Sequence, residues 1–489
     1  MLGELYRHSL ALLTDLYELT MAQGYWTLGM GDRRVSFHIS FRNNPFDGGY
    51  TVACGLGQVV EYVESFGFDE ADTAYLSGIL GNDGHPLFTD DFLAHLRELR
   101  PRVDIDAVCE GDLVFPHEPL LRITGPVLDC QILETALLNI LNFQSLIATK
   151  AARVCTAARG EPVLEFGLRR AQGIDGGVSA SRAAYVGGCA STSNVLAGKL
   201  LGIPVKGTHA HSWVMLFDDE PQAFDAYRRA LPNNGVFLVD TYNTLRGVRN
   251  AIETACRLRQ AGHEMVGIRL DSGDLAWLSQ QARRMLDEAG LPEAKIVASG
   301  DVDEHVIDAL HEQDAAIDLW GVGTHLATGY DDPALGGVYK LAAVRDREGT
   351  WQPRIKLSEQ LEKISTPGRL QVRRYTSGDE YVGDAIYDED IGIGDGCTIV
   401  HPGEATRRKD IAAGTPHRDV LVPVFRDGRR VYDVPSIEAA RDRCRGELGR
   451  LHGGIKRLMN PHEYPAGLER RLHERKTDMV MDVRERAKE

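Results

Sequence analysis

The chain has 489 residues, of which 43% are hydrophobic, and a formal net charge of −16 at pH 7. This length suffices for two or three domains with large cores, and the acidic balance excludes a general nucleic-acid-binding protein, which requires a basic surface. The N-terminus lacks a secretion signal and no stretch near eighteen residues is uniformly apolar, so neither export nor a transmembrane helix is predicted. Eight scattered cysteines without a C-x-x-C pair are typical of reduced thiols in a cytoplasmic protein.

Residues 1–130 mix helical and strand-like patterns. A helical segment at 10–28 precedes the strand-like VSFHISF at 35–41. Two further helix-like segments and one region of strands and turns follow at 55–66, 90–99 and 107–126. We therefore expect an N-terminal α+β domain over residues 1–130.

Residues 131–345 have a different pattern, in which short apolar runs alternate with helix-like segments. A strand followed by a helix every 25 to 40 residues or so is typical of a parallel α/β fold, and buried parallel strands are expected to be continuously apolar. The apolar runs lie at 163–166, 204–207, 236–240, 265–270, 295–299, 319–322 and 338–344. They predict an irregular (β/α) barrel as the catalytic domain.

The rest of the chain divides in two. Residues 346–435 are again strand-like and rich in turns, and we expect them to complete the N-terminal domain. Residues 436–489 are predicted to form a charged helical tail. Residues 401–489 have 20 basic and 15 acidic side chains, a balance that favours a solvated, ion-paired surface over a binding role.

Polar residues cluster where the predicted barrel strands end, which is the side on which (β/α) barrels hold their catalytic groups. The clusters are Thr208, His209 and His211; Asp240; Arg269 and Asp271; Ser299 and Asp301; and Gly323 with Thr324. Loop residues are often polar, so one such cluster means little. Five of them in successive units indicate a functional site.

The H-x-H pair of His209 and His211 has three possible meanings. The two rings could chelate a metal, one could react while the other is a bystander, or both could only pack. A metal site requires further ligands at other strand ends, and among the remaining histidines only His325 follows a strand closely. The ligand set is incomplete, so no protein metal site is predicted.

Three other elements could bind parts of a phosphorylated substrate. Arg269 and Asp271 lie two apart on one side of a strand; they could hold an anionic group and sugar hydroxyls, or form only a structural ion pair. The glycine-rich turn at 321–329 exposes backbone N–H groups of the kind that bind phosphate. Phe166 could stack on a flat ring, and Arg169 could bind an anion or lie on the surface.

Several longer motifs occur in a fixed order. They are LLTDLYELTMAQGYW (12–26), FRNNPF (41–46), EFGLRRAQG (165–173), GTHAHSW (207–213), VDTYNT (239–244), RLDSGD (269–274), GVGT (321–324) and GGVYKLAAV (336–344). Together they resemble the motifs of nicotinate phosphoribosyltransferase, a type II phosphoribosyltransferase, over about residues 10–370. The resemblance implies an enzyme that joins nicotinate to 5-phosphoribosyl 1-pyrophosphate and couples the reaction to hydrolysis of ATP, with Mg²⁺ as a cofactor.

The resemblance also implies roles for individual residues. His211, the histidine of G-T-x-A-H, is expected to be phosphorylated, with His209 a bystander, and Asp240 is expected to fix the tautomer of His211. The nicotinate contacts implied are Tyr17, Phe166, Arg169, Thr208 and Arg269. The phosphoribosyl pyrophosphate contacts implied are Arg42, Asp271, Gly321, Gly323, Thr324 and Lys340. Tyr17 and Arg42 are expected to serve the opposite subunit, which implies a homodimer with shared active sites.

Alternatives remain open. Nicotinamide-using relatives have an aspartate near the segment 191–194, which here is neutral, and this favours the acid over the amide as substrate. A nicotinamide phosphoribosyltransferase, a metal-dependent hydrolase using H-x-H, and a catalytically silent binding protein are the other readings.

Overall fold

The computed structural model describes residues 10–360 and 363–486, which form two compact units. The barrel unit comprises Ile147–Pro333, and the N/C unit comprises the chain up to Leu146 together with the chain from Ala334 onward. The boundaries predicted from the sequence lay at 130/131 and 345/346. In the structure the first boundary, between Leu146 and Ile147, lies inside the long helix Glu134–Ala157. No change in the sequence pattern therefore marks this boundary.

The N/C unit is built on antiparallel sheets. A seven-stranded sheet has the order Trp351–Pro353, Val338–Arg345, Arg34–Ser40, Pro119–Pro126, Asp104–Val108, Leu421–Arg426 and Arg429–Arg430. A six-stranded sheet has the order Arg408–Ile411, Cys397–Val400, Ala466–Glu469, Glu380–Asp388, Leu370–Ser377 and His417–Asp419. Thr51–Val52 and Leu113–Val114 form a small third sheet. One hydrophobic core, which includes Phe41, Phe92 and Phe425, lies within this unit.

The helices of the N/C unit are mostly short. They are Leu16–Thr27, Leu56–Ser65, Glu70–Ser77, Asp90–Glu98, Val127–Gln131, Ile437–Arg450 and Arg470–Arg486, with most of Glu134–Ala157. The last segment differs from the predicted helical tail, because Ala466–Glu469 is a strand that pairs with Glu380–Asp388 in parallel. The C-terminal residues are therefore part of a sheet.

The barrel unit has six parallel strands in the order Ser191–Thr192, Val163–Glu165, Leu319–Val322, Lys295–Ser299, Gly267–Leu270 and Val236–Leu238. Beyond the first strand, Val205 forms a single parallel bridge with Thr192. Most residues of these strands are apolar and buried, as expected for parallel strands covered by helices. No strand pairing joins Val205 to Val236–Leu238 among the described residues, so this is an irregular barrel with an open seam, as the sequence predicted.

The helices of the barrel unit mostly follow its strands. They are Gly173–Val186, Val195–Leu201, His211–Met215, Glu220–Ala230, Thr244–Gln260, Leu275–Glu288, Glu304–Glu312 and Thr324–Ala327. Several begin at a side-chain cap, for example Asn243 and Asp274, which each accept a backbone N–H of the first turn. Because the strands are parallel, their carboxyl ends lie at one edge of the sheet, where the predicted site residues lie.

One stretch, Val127–Ala157, is long and apolar enough to cross a membrane by length and composition, which the sequence analysis did not predict. However, 61% of its most apolar window is buried inside the fold. Within it, Lys150 and Arg153 are buried and form ion pairs with the buried Glu304. Burial of this kind is typical of the core helix of a globular protein.

Candidate active site

The GTHAH segment places its three polar side chains in different surroundings. Thr208 accepts a hydrogen bond from Nη1 of Arg269 at 2.6 Å. His211 begins the helix His211–Met215, and its side chain is 40% exposed. His209 is instead 7% exposed and lies against the rings of Tyr227 and Phe237. The segment therefore directs two of its three polar side chains to the strand-end site.

The contacts of His211 differ from those predicted. Its Nδ1 lies 3.1 Å from the hydroxyl of Thr241, and its Nε2 lies 3.8 Å from Oδ2 of Asp271. Asp240, predicted to fix the tautomer of His211, instead accepts hydrogen bonds from the backbone N–H of Asp271 (3.0 Å) and the hydroxyl of Ser272 (2.7 Å). The turn after the next strand thus occupies one oxygen of the Asp240 carboxylate. Thr241, one residue later, instead lies within hydrogen-bonding distance of Nδ1, and its hydroxyl can accept a hydrogen bond from a protonated Nδ1.

Arg269 and Asp271 lie side by side at the end of one strand, as their spacing predicted. Nη2 of Arg269 is 3.9 Å from Oδ1 of Asp271, which also accepts a hydrogen bond from Ser299 at 2.5 Å. Burial lowers the pKa of Arg269, against the opposing effects of Asp271 and Asp240, and Arg169 lies near enough to lower it further. The Nε–H of Arg269 is buried and has no partner. This guanidinium can therefore accept an anion that supplies the missing hydrogen-bond acceptor.

Phe166 is held by a backbone hydrogen bond from its N–H to the carbonyl of Val322. Its ring lies against Gly321, where a Cβ atom would stand only 2.9 Å from two ring carbons. The next residues turn into Leu168–Arg170, so that Arg169 is exposed. Gly321 is therefore required as glycine for this ring position.

Glu165, which the sequence analysis did not single out, anchors this turn. Its buried carboxylate accepts hydrogen bonds from the N–H of Gly167 and from the hydroxyls of Ser181 (2.9 Å) and Thr192 (2.5 Å). A buried carboxylate is tolerated only when such donors satisfy it. Its position directly before Phe166, at the end of a buried strand, was the available sequence signal.

The glycine-rich turn begins the short helix Thr324–Ala327, with Gly323 at its N-cap. Thr324 is half-buried, and a Cβ at Gly323 would approach the Phe166 carbonyl to 3.3 Å. The turn thus brings Thr324 and the backbone of Gly321 and Gly323 to the strand-end edge. It lies beside the Phe166 turn, as a phosphate-binding turn next to a ring-stacking residue would.

The neutral segment 191–194 is largely engaged inside the barrel unit. Thr192 donates to Glu165, and Asn194 caps the helix Val195–Leu201. Ser193 is half-buried, and the hydroxyl of Ser191 is buried without a hydrogen-bond partner. The segment presents no carboxylate near Glu165, consistent with a site that does not recognise an amide through an aspartate.

The other three predicted residues, Tyr17, Arg42 and Lys340, belong to the N/C unit. Tyr17 is 47% exposed, and its hydroxyl hydrogen-bonds to Glu134; burial and this carboxylate raise the pKa of Tyr17. The adjacent Glu18 is fully buried and accepts hydrogen bonds from Thr135. Burial raises the pKa of Glu18 to about 7. These contacts fix the start of the N-terminal helix and leave the Tyr17 ring partly at the surface.

Arg42 and Lys340 both line one small pocket of the N/C unit, next to a larger cleft. A cleft of about 550 Å³ is lined by Arg42, His117 and Lys476, and a smaller pocket that shares Arg42 and His117 contains Lys340. Among the described residues, no carboxylate forms an ion pair with Arg42, Lys340 or Lys476. Lys476 donates instead to the neutral acceptors Ile364 O and Thr366 Oγ1, and burial lowers its pKa to about 8.

Lys476 was not predicted from the sequence, because it lies in the last helix, far along the chain from Arg42. Arg42 lines both spaces, whereas Lys476 lines the larger one and Lys340 the smaller one. This group of cations favours a polyanionic ligand, since a phosphate group would supply negative charge. Arg42 thus lies beside Lys340 in one pocket and beside Lys476 in the neighbouring cleft.

The residues at the strand ends can also supply part of the ligand set of a divalent cation. Mg²⁺ is bound in phosphate-using sites through one or two carboxylates and the phosphates themselves. Oδ1 of Asp240 is buried and has no partner, while its Oδ2 is occupied. No group of three or more potential ligands that could hold a metal occurs among the described residues. Asp240 therefore fits a cation brought by a phosphorylated substrate.

Comparisons with known proteins agree with this arrangement. Family models of the N-terminal and C-terminal domains of nicotinate phosphoribosyltransferase match residues 12–142 and 370–476. The nicotinate phosphoribosyltransferase of Bacillus subtilis is 42% identical over 98% of this chain and 97% of its own length. That of Homo sapiens is 35% identical over 94% of this chain and 95% of its own length.

Solved structures give the same result. The crystal structure of human nicotinic acid phosphoribosyltransferase has a TM-score of 0.82 at 32% identity, and covers 95% of this chain and 99% of that chain. Nicotinate-nucleotide pyrophosphorylase from Pyrococcus furiosus, with a TM-score of 0.67 at 22% identity over 90% of this chain and 96% of that chain, shares the fold. The type II phosphoribosyltransferase fold and the matches along nearly the whole chain show that this chain belongs to the nicotinate phosphoribosyltransferase family of enzymes.

Proposed function

We propose that the protein converts nicotinate, 5-phosphoribosyl 1-pyrophosphate, ATP and water to nicotinate mononucleotide, pyrophosphate, ADP and phosphate. This reaction is the first step of NAD salvage from nicotinate. The observation that supports it most is Arg269, a buried cation with an unpaired N–H beside Thr208 and Asp271 at the barrel strand ends. A carboxylate on a flat ring would pair with this guanidinium.

In the glycosyl step, the pyridine nitrogen attacks C1 of the ribose as the bond from C1 to the pyrophosphate oxygen breaks. Positive charge develops on the ribose, and nearby carboxylates stabilise it. Asp271 is the candidate, since among the described residues its Oδ2 accepts no hydrogen bond and lies 3.8 Å from Nε2 of His211. In the proposed homodimer with shared sites, the Arg42 cleft of the partner subunit would bind the departing pyrophosphate. Bound Mg²⁺ would neutralise phosphate charge, with Asp240 as its protein ligand.

In the phosphoryl step, Nε2 of His211 attacks the γ-phosphorus of ATP and the bond to the ADP oxygen breaks. The attacking nitrogen must be unprotonated, so Nδ1 must hold the proton. The Thr241 hydroxyl, 3.1 Å from Nδ1, is placed to accept that proton's hydrogen bond. Water then hydrolyses the phosphohistidine and releases phosphate.

A homodimer in the cytoplasm is the proposed working form. The helix Leu16–Thr27 and the residues before it expose Leu13, Leu16, Tyr17 and Met21, each at least 39% exposed. A second copy is the occupant that would bury these apolar side chains, and the proposal that Tyr17 serves the opposite subunit requires it.

The direct test is an assay of nicotinate and 5-phosphoribosyl 1-pyrophosphate with and without ATP, using the wild type and His211→Ala. We expect ATP to stimulate the wild type with release of ADP, and the variant to lose both the ATPase activity and the stimulation. An unaltered ATPase in His211→Ala would refute the phosphohistidine. Co-expression of Tyr17→Ala with His211→Ala tests shared sites, because mixed dimers would regain ATP-stimulated activity that neither homodimer has.

Substrate choice separates this proposal from a nicotinamide phosphoribosyltransferase. The cationic Arg269 and the neutral segment 191–194 favour the acid, so kcat/KM should be higher for nicotinate than for nicotinamide. The H-x-H hydrolase reading loses support, since Nε2 of His209 accepts the N–H of Leu238 and its Nδ1 faces a carbonyl. Stoichiometric zinc that is lost in His209→Ala would restore that reading.

A further inference from the structure

His209 lies at the open seam of the barrel. The strand Val236–Leu238 is the last of the six, and its free edge has no neighbouring strand among the described residues. The N–H of Leu238 instead donates to Nε2 of His209 at 3.3 Å. Leu238 itself is fully buried, so no water would replace this acceptor. One imidazole nitrogen thus supplies the hydrogen-bond acceptor that a neighbouring strand would otherwise supply.

The surroundings of His209 keep it in the form that this contact requires. Because Nε2 accepts a hydrogen bond, the neutral ring must carry its hydrogen on Nδ1, which lies 3.4 Å from the carbonyl of Ala210. The ring packs edge-on against Tyr227 at 4.8 Å and lies near Phe224. Burial lowers the pKa of His209 to about 4, so the ring is neutral at physiological pH.

This contact joins two segments that each contain proposed site residues. On one side, Thr208 and His211 lie within two positions of His209. On the other, Thr241 lies three positions after Leu238. The hydrogen bond between His211 and Thr241 spans the same two segments, and residues 207–210, which lead to His211, have no regular secondary structure.

We propose that His209 is a positioning residue, whose acceptor nitrogen holds the loop of His211 against the strand of Thr241. This inference rests on the proposed phosphohistidine. His209, which was predicted from the sequence to be a bystander, thus has a role. That role requires a hydrogen-bond acceptor at the end of a side chain as long as that of histidine.

The test compares three substitutions at position 209. His209→Leu removes the acceptor. His209→Gln places an amide oxygen about where Nε2 lies, and His209→Asn places one too close to the backbone to reach Leu238. The control is Tyr227→Leu, which loosens the same aromatic cluster and leaves the link intact. Incorporation of ³²P from γ-labelled ATP into His211 is measured at least 10 °C or so below each variant's Tm.

We expect His209→Leu and His209→Asn to be labelled about 5- to 150-fold more slowly than the wild type. This ratio corresponds to the free-energy cost of leaving one buried N–H without an acceptor. His209→Gln and Tyr227→Leu should stay within about threefold of the wild-type rate, although both lower the Tm. A purely structural role predicts equal rates for all variants below their Tm, and that result would overturn the proposal. Slow labelling of His209→Gln would overturn it too.

A second readout does not depend on phosphorylation. The ¹⁵N chemical shifts of the wild-type imidazoles should show His209 neutral at pH 7 with the proton on Nδ1, and the His211 signals should move in His209→Leu but not in His209→Gln. If the wild type is never labelled but these shifts are as expected, the phosphohistidine fails and the positioning role stands. A proton on Nε2 of His209 would refute the positioning role alone.

Discussion

Gly321→Ala tests whether the Phe166 ring forms one wall of the nicotinate pocket. The added Cβ would stand 2.9 Å from Cδ2 and Cε2 of Phe166 and 3.1 Å from Cβ of Ser299. Carbon atoms in ordinary contact are about 3.5–4.0 Å apart, so the ring must move by at least about 0.6 Å. The strand containing Gly321 pairs on both sides, with Leu164 and Ser299, and therefore cannot yield in place of the ring.

Overpacking of this kind costs about 1–3 kcal/mol. If the displaced ring meets the pyridine, that energy corresponds to an increase in the KM of nicotinate of about 5- to 150-fold. The assay is steady-state kinetics with each substrate varied in turn, together with thermal unfolding. We expect a larger change in the KM of nicotinate than in that of phosphoribosyl pyrophosphate.

The matched control is Gly176→Ala in the helix Gly173–Val186, where an added Cβ meets nothing within 4 Å. Removing a helical glycine should stabilise the protein by about 0.5–1 kcal/mol and leave both KM values unchanged. A folded Gly321→Ala variant with the wild-type KM for nicotinate would show that Phe166 does not contact the ring, and the assignment of this pocket would be wrong.

Three further outcomes are expected. Thr241→Val should slow phosphorylation of His211 by about 2- to 12-fold, the worth of one neutral hydrogen bond, while Thr241→Ser retains the wild-type rate; equal rates for Val and Ser would contradict the contact. Lys476→Met should raise the Tm at pH 7 and weaken pyrophosphate binding in calorimetry. Because burial lowers the pKa of Lys476 from 10.5 to about 8, its charge destabilises the fold below pH 8 and ceases to do so as pH approaches 10.5; a Tm gain that persists at pH 10.5 would contradict this cause. Asp240→Asn should preserve folding but raise the Mg²⁺ concentration for half-maximal activity at least tenfold or so, and an unchanged requirement would exclude Asp240 as a ligand.

Local pattern was enough to predict most of the barrel, because its strands are buried apolar runs that end in polar clusters. The run at 338–344, predicted as a barrel strand, instead pairs antiparallel with Arg34–Ser40 in the N/C unit. The pairs that came together as predicted, such as Arg269 with Asp271, lie on one strand, where a spacing of two fixes their common side. The long motifs identified the family and therefore the candidate residues, including Arg42 in the other unit.

The missed features all depend on contacts between distant segments. Asp240 and Thr241 are adjacent, and only the turn after the next strand decides which of them meets His211. The partner of His209 is a backbone N–H at the barrel seam, which has no signature in the sequence. Lys476 enters the cleft of Arg42 through a strand and a helix that were predicted as a separate tail.

The contacts at the strand ends also provide a physical link between the proposed phosphorylation of His211 and the binding of nicotinate. Asp271 is 3.8 Å from Nε2 of His211 and 3.9 Å from Nη2 of Arg269. A phosphoryl group on Nε2 would bring negative charge against the Asp271 carboxylate, and like charges at this distance repel. Relief requires Asp271 to move towards Arg269 or away from both, and either movement changes how much of the Arg269 charge remains for an anionic substrate. Phosphorylation of His211 would therefore change the binding of nicotinate at Arg269 through a shift of the Asp271 carboxylate, without movement of the barrel strands.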